Sequence, residues 1–200
     1  MIVYVESNFL LELAYMQEEH ESCERLLLLG EQGRIQLALP TFCVAEARMS
    51  MARQIRDRAK FYESLTRQIR ELSRSRPYSD VEAKTRDFTS ALIGSGEEER
   101  RRLDQAIQRM MRCGRMLPTT ADVLRDAHSA EISFGLSPQD SVVYASVVTD
   151  FGNAEANRCF LNRNTKDFSD PDIQNELATA NCKLLTSFAA GIGYITHSLS

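Results

Sequence analysis

Several familiar devices are missing from this chain of 200 residues. It has no basic start followed by an apolar core, and no apolar run approaches the roughly 18 residues needed to span a membrane, so a soluble, cytoplasmic protein is expected. Cys23, Cys43, Cys113, Cys159 and Cys182 are odd in number, scattered and without a CxxC pair. That argues against a disulfide framework and against a zinc site, and favours reduced, mostly buried thiols. His20, His128 and His197 show neither metal-ligand nor triad spacing. No Ser/His or Cys/His pair stands out either, so chemistry built on a nucleophilic side chain has no candidate. No internal repeat or low-complexity segment is visible.

What is present suits one compact domain over residues 1–200. A hydrophobic content of 43% in 200 residues is enough for a real core. The net charge of -4 conceals a segregation: residues 48–115 hold 17 Lys or Arg against 10 Asp or Glu, net +7, and the rest holds 7 against 18, net -11. Two surfaces of opposite sign follow, one suited to phosphates and one to cations.

Strands alternate with helices. Val3, Tyr4 and Val5 read as a short buried strand, and Phe9, Leu10 and Leu13 recur at helical spacing, so Glu6, Ser7 and Asn8 sit at a strand-to-helix junction. A helical stretch through Leu26 to Leu29 ends near Gly30 and Gly33, and Ile35 to Leu39 form a second strand closed by Pro40. Thr41 is the expected cap of a long helix whose apolar positions run Ala45, Met49, Ala52, Ile55, Ala59, Tyr62, Leu65, Ile69 and Leu72. The stretch Arg76-Pro77-Tyr78-Ser79 breaks it. A weaker helix to about Ile93, a Gly94-Ser95-Gly96 turn and a charged helix to about Arg112 complete a basic helical insertion over 54–117. Thr119 to Phe134 read as a helix ended by Gly135, and Ser137-Pro138-Gln139-Asp140 open the next with a cap, a first-position proline and an acid three residues on. Cys159 to Leu161 and Lys183 to Leu185 supply two further strands. The pattern predicts an α/β fold, three layers of α/β/α about a small, mainly parallel sheet, plus the helical insertion.

Four acids stand where predicted elements begin or end: Glu6, Glu46, Asp140 and Asp167. Each has an ordinary explanation. Glu6 could reach water while Ser7 or Asn8 caps the helix, Glu46 could be an exposed helix residue, Asp140 a capping acid and Asp167 a turn residue. Their joint placement is more informative, because parallel strands lying side by side would bring them to one sheet edge, where such folds bind ligands. Clustered carboxylates repel unless protonated or neutralised, and a hard divalent cation is the usual solution.

These segments resemble those of PIN-domain nucleases. VYVESNFLLEL is similar to that family's opening strand with its acid and Ser/Thr-Asn, LALPTFCVAEA to its second strand and glutamate, LSPQDSVVYAS to its central-aspartate helix, and FLNRNTKDF to its closing strand and acidic turn. The resemblance covers residues 1–50 and 119–170. It implies that Glu6, Glu46 and Asp140 take the principal metal positions, with Asn164 or Asp167 as the fourth and Asn8 supporting the first acid. It further implies Mg²⁺ or Mn²⁺ as cofactor and single-stranded RNA as substrate. As partners it implies an antitoxin, as in toxin-antitoxin pairs, or another protein, and a second copy in a homodimer. Three departures stand out: Glu6 replaces the usual Asp, Asn162 replaces the usual Ser or Thr, and the basic block at 54–117 is absent from compact toxins.

The reading that results is metal-dependent phosphodiester hydrolysis by Glu6, Glu46, Asp140 and Asp167, with metal-bound water as nucleophile. An acidic cleft repels RNA, so cations must come from elsewhere. Arg53, Arg56, Lys60, Arg67, Arg70 and Arg74 recur at helical spacing and offer a backbone track, or else a solvated face or a surface for an acidic partner. Phe61, Tyr62 and Tyr78 are the candidates for base stacking, although Tyr62 falls on the apolar stripe. The rival reading is a catalytically impaired PIN-like module that binds RNA or a protein. A phosphatase of another α/β family would want an Asp nucleophile after the first strand, where this chain has Glu6 and Asn8.

Overall fold

The computed structural model describes residues 1–152, 156–163, 168 and 170–199. Among them, five strands form one wholly parallel sheet: β1 (Ile2–Val5), β2 (Gln36–Pro40), β3 (Arg115–Leu117), β4 (Arg158–Leu161) and β5 (Cys182–Leu185), in the order β3-β2-β1-β4-β5. The central strands are apolar apart from Gln36 and Arg158 at their starts, because helices cover both faces. Val3, Tyr4, Val5, Leu37, Leu39 and Phe160 are fully buried. Each such side chain removed from water contributes about 1.5–3 kcal/mol.

Among the described residues eight α-helices surround the sheet: α1 (Ser7–Tyr15), α2 (His20–Glu31), α3 (Thr41–Ser73), α4 (Val81–Cys113), α5 (Ala121–Phe134), α6 (Pro138–Thr149), α7 (Pro171–Thr179) and α8 (Phe188–Ser198). The chain steps from β1 to β2 to β3 in one direction and from β4 to β5 in the other. Right-handed crossovers therefore place α1 to α4 on one face and α5 to α7 on the opposite face. Contacts agree: α4 packs on α1, α2 and α3, α8 joins this layer against α2, and α5 packs on α6. Within the second layer, the Tyr144 hydroxyl on α6 donates to Glu176 on α7 at 2.6 Å. This is the α/β/α sandwich with a small parallel sheet that the strand and helix alternation predicts.

The structure differs from the sequence expectation at definite places. Pro40, not Thr41, occupies the cap position of α3, and the Thr41 hydroxyl lies 3.3 Å from that of Thr119 instead. The helical stretch after β1 is two helices, parted where Met16 takes a left-handed conformation at φ 54°. The turn expected at Gly94-Ser95-Gly96 does not form, and α4 runs unbroken. Gly96 serves packing there: a Cβ would come within 3.2 Å of Ile55 on α3, so its absence lets the two helices approach. Arg58 seals the same crossing by donating to Ser95 at 2.9 Å and to Glu99 at 2.7 and 2.8 Å. β3, α7 and α8 were not anticipated. β3 is held by Arg115, which pairs with Asp150, whose Oδ2 also accepts from the buried Tyr4 hydroxyl at 2.8 Å.

The long apolar stripe of α3 is real but changes face. Near the sheet the buried positions are Cys43, Ala47 and Met51, and Met49 is exposed; farther out, Ile55 and Ile69 turn inward as α4 replaces the sheet as packing partner. Cys23, Cys43, Cys159 and Cys182 are buried free thiols, and Cys113 is half-buried. Among the described residues no helix is long and apolar enough to cross a membrane.

Candidate active site

The strand order makes β1 and β4 neighbours, with their following helices on opposite faces. A crevice must open beyond the carboxyl ends of these two strands, at the topological switch point. Register places Val5 beside Leu161, so the next residues, Glu6 and Asn162, are adjacent across the crevice. A cleft of about 640 Å³ lies there. Its acids come from three elements: Glu6 from the start of α1, Glu46 from the second turn of α3, and Asp140 from the first turn of α6. Three of the four acids expected to converge do so, and Asn8 lines the same cleft. Asn164 and Asp167 lie outside the described residues.

Glu6 does not reach water. It is 6% exposed and is itself the cap of α1, replacing Ser7 or Asn8 in that role. Its Oε2 accepts from the Asn8 N–H at 2.8 Å and from the Ser7 hydroxyl at 3.1 Å. Its Oε1 is buried without a hydrogen-bond partner among the described residues. Burial pushes this carboxyl up to about 7, against the Asn8 and Ser7 donors and the Arg163 backbone N–H, which favour the charged form.

Glu46 is half-buried, and its carboxyl is also raised, by burial first and then by the charge of Asp140; a hydrogen bond from Ser7 opposes the rise. Ser137 Oγ accepts from the Asp140 N–H at 3.2 Å, the cap that the sequence predicts, and the Ser137 hydroxyl in turn donates to the Asp140 carboxylate. All three carboxylates act on Cys43 beneath the cleft, whose thiol is raised by burial and then by Glu6, Glu46 and Asp140. They thus share one field.

The cleft wall reverses sign along α3. Glu46, Ser50 and Arg53 follow at helical spacing, with Arg56 a further turn on, and all four line the cleft. At 1.5 Å per residue, Glu46 and Arg53 are separated by about 10 Å along the axis. Beyond them Lys60, Arg67, Arg70 and Arg74 are exposed, like Arg53 and Arg56, so the predicted basic stripe exists as a solvent-facing row that begins at the cleft. Phe61 and Tyr78 are exposed as well; Tyr62 is half-buried between the helices.

Several contributors escaped sequence reasoning. Ser7 is 7% exposed and donates its hydroxyl to Glu6, a role its position beside Glu6 hints at. Asn162 is 3% exposed in the crevice, with its N–H donated to Leu185 at 3.0 Å. The chemistry on offer is oxygen ligation. The donors are carboxylates, one oxygen of Glu6 is buried and unsatisfied, and the mutual repulsion of Glu46 and Asp140 would be relieved by a cation. These donor types suit a hard divalent ion. As they stand, no three His, Cys, Asp or Glu side chains among the described residues are grouped closely enough to hold one.

No protein-family model matches the chain, and no curated protein matches it. Among solved structures, a similar chain belongs to the crystal structure of VapBC2 from Rickettsia felis bound to a DNA fragment from their promoter. The two share 12% identity over 92% of this chain and 98% of that one, with a TM-score of 0.48.

Proposed function

We propose that the protein is a PIN-like endoribonuclease that hydrolyses single-stranded RNA with Mg²⁺ or Mn²⁺. The observation that carries this reading is the cleft itself: carboxylates from three separate elements line it at the switch point, and the same cleft has Arg53 and Arg56 on its wall. Glu6, Glu46 and Asp140 would hold the cation, Glu46 and Asp140 by turning their half-exposed side chains inward, with Asp167 or Asn164 as further donors. A cation bound there supplies a hydroxide-like water and neutralises charge on the phosphate and the leaving 3′-oxygen. Ser7 orients Glu6 through its hydroxyl, and Asn8 holds Glu6 through its N–H. Arg53 and Arg56 attract the RNA backbone toward an otherwise repulsive acidic floor, and the exposed row to Arg74 continues the track. A toxin-like role with an antitoxin or other protein partner in the cytoplasm belongs to the same proposal, supported by the four sequence segments quoted above.

One observation favours the catalytically impaired alternative. Glu6 is a buried helix cap that titrates near neutrality, so a substantial share of it is uncharged at pH 7 in the absence of a cation. Incubation of purified protein with Mn²⁺ and single-stranded RNA separates the two readings. Cleavage by the wild type, reduced more than about a hundredfold by Asp140→Asn, is the expected result, since even removing a group that only orients a metal ligand costs about 10–100-fold. Equal cleavage by both proteins would sink the assigned site. RNA retention without cleavage would select the binding module.

A further inference from the structure

Glu12 has no part in the cleft, yet it is a carboxylate only 2% exposed, in the middle of α1. Its Oε2 accepts from the Glu19 N–H at 3.0 Å, and its Oε1 accepts from the Arg163 guanidinium. The Arg163 Nε lies 3.7 Å from Glu19 Oε2. Glu19 in turn accepts from the Phe188 and Ala189 N–H groups at 3.0 and 3.2 Å, at the start of α8. One guanidinium therefore ties together α1, the turn before α2, the segment after β4 and the first turn of α8. Arg163 stands two residues beyond the end of β4, and its backbone N–H faces the Glu6 carboxylate. Glu12 lies six residues along α1 from Glu6, about 9 Å. The Arg163 side chain thus runs alongside α1, with its backbone at the site and its partly exposed guanidinium held by the buried Glu12 carboxylate.

We propose that Arg163 is a positioning residue: the buried Glu12 carboxylate, seconded by Glu19, locks its guanidinium and so fixes the segment after β4 against Glu6. Glu12 is buried while Arg163 keeps part of its side chain in solvent, so removing the guanidinium alone leaves a buried carboxylate without its counter-charge, which is costly. The anchoring stands on its own; its consequence for metal binding rests on the nuclease reading above.

The test compares wild type, Arg163→Lys, Arg163→Met and the double variant Arg163→Met/Glu12→Gln. Arg163→Met alone strands a buried charge and is expected to lower thermal stability; the double variant removes that charge and regains it. If Arg163 positions the site, the double variant still shows hydrogen exchange at the position 163 amide accelerated by about tenfold or more. Its Mn²⁺ affinity, read by calorimetry, falls by about 10–100-fold, while Arg163→Lys keeps both near the wild-type values. Wild-type exchange at position 163 in the double variant would overturn the anchoring, and accelerated exchange with unchanged Mn²⁺ affinity would overturn its link to the site. If the wild type itself binds no Mn²⁺, the nuclease reading falls, and the exchange comparison still decides the anchor.

Discussion

Glu6 at the end of β1 is 6% exposed, while Arg74 at the far end of the basic row keeps 76% of its side chain in solvent. The two mark opposite ways of carrying charge. In the cleft, helices on both faces of the sheet strip water from carboxylates, and burial raises Glu6 and Glu46 before any neighbour acts. Along α3 the cations face solvent on a helix that buries its other side against α4. Burial makes a few groups chemically adjustable; exposure makes many groups available to a long, screened, salt-sensitive partner. One helix, α3, carries both regimes, because its first turns lie over the sheet edge and its later turns leave it.

The largest effect that sharpens this contrast is expected at Glu6. An acid whose folded value is raised from 4.5 to about 7 binds its proton more tightly folded than unfolded. The stability this gives is complete below about pH 4.5 and is lost as pH rises through about 7. Metal-free Glu6→Gln should therefore exceed wild type by roughly 3 kcal/mol in denaturant unfolding at pH 8, with the advantage gone near pH 4.5. A pH-independent difference would mean that Glu6 is not held in a dry site. Next in size is the reversal of Arg56, Lys60 and Arg67 to Glu. Loss of three phosphate contacts should lower the log–log salt slope of single-stranded RNA binding by about 2 and weaken binding about tenfold or more at moderate salt. Unchanged affinity would detach the helical row from the RNA path. The smallest effect belongs to Arg74→Ala, which removes an exposed pair with Glu71 at 3.0 Å. Thermal unfolding should shift by no more than about 0.5 kcal/mol, and a larger loss would show that the row is not merely solvated.

How much of this was legible in the sequence depends on the range of the interactions. β1, β2, β4 and β5, the Ser137–Asp140 cap and the Gly135 stop are set by residues within one turn or strand, and all could be read. β3 could not: Arg115-Met116-Leu117 is three residues long, and its Arg115–Asp150 pair joins distant parts of the chain. α7 carried a signal that went unread, since Asp170-Pro171 repeats the cap-then-proline pattern of Ser137-Pro138. The turn expected at Gly94–Gly96 fails because a glycine that admits a neighbouring helix, as Gly96 does, is indistinguishable in sequence from one that turns the chain. At the site, the acids could be picked out by their places at element ends. Their meeting depends on the order β3-β2-β1-β4-β5, which only the fold supplies. The Glu12–Arg163 pair spans 151 residues, and no local pattern announces it.

The division of labour within the Glu6 carboxylate has a further consequence. Oε2 is committed to ending α1 through Asn8 and Ser7, and only Oε1 is unclaimed. A side chain so divided can offer an incoming ion one oxygen and not two. Were the cleft to take a cation, its occupancy would be tied through Glu6 to the end of a helix. An ion pulling on Oε1 would be felt as a change in the hold on the Asn8 amide, so nuclear magnetic resonance of that single N–H would report loading of the cleft.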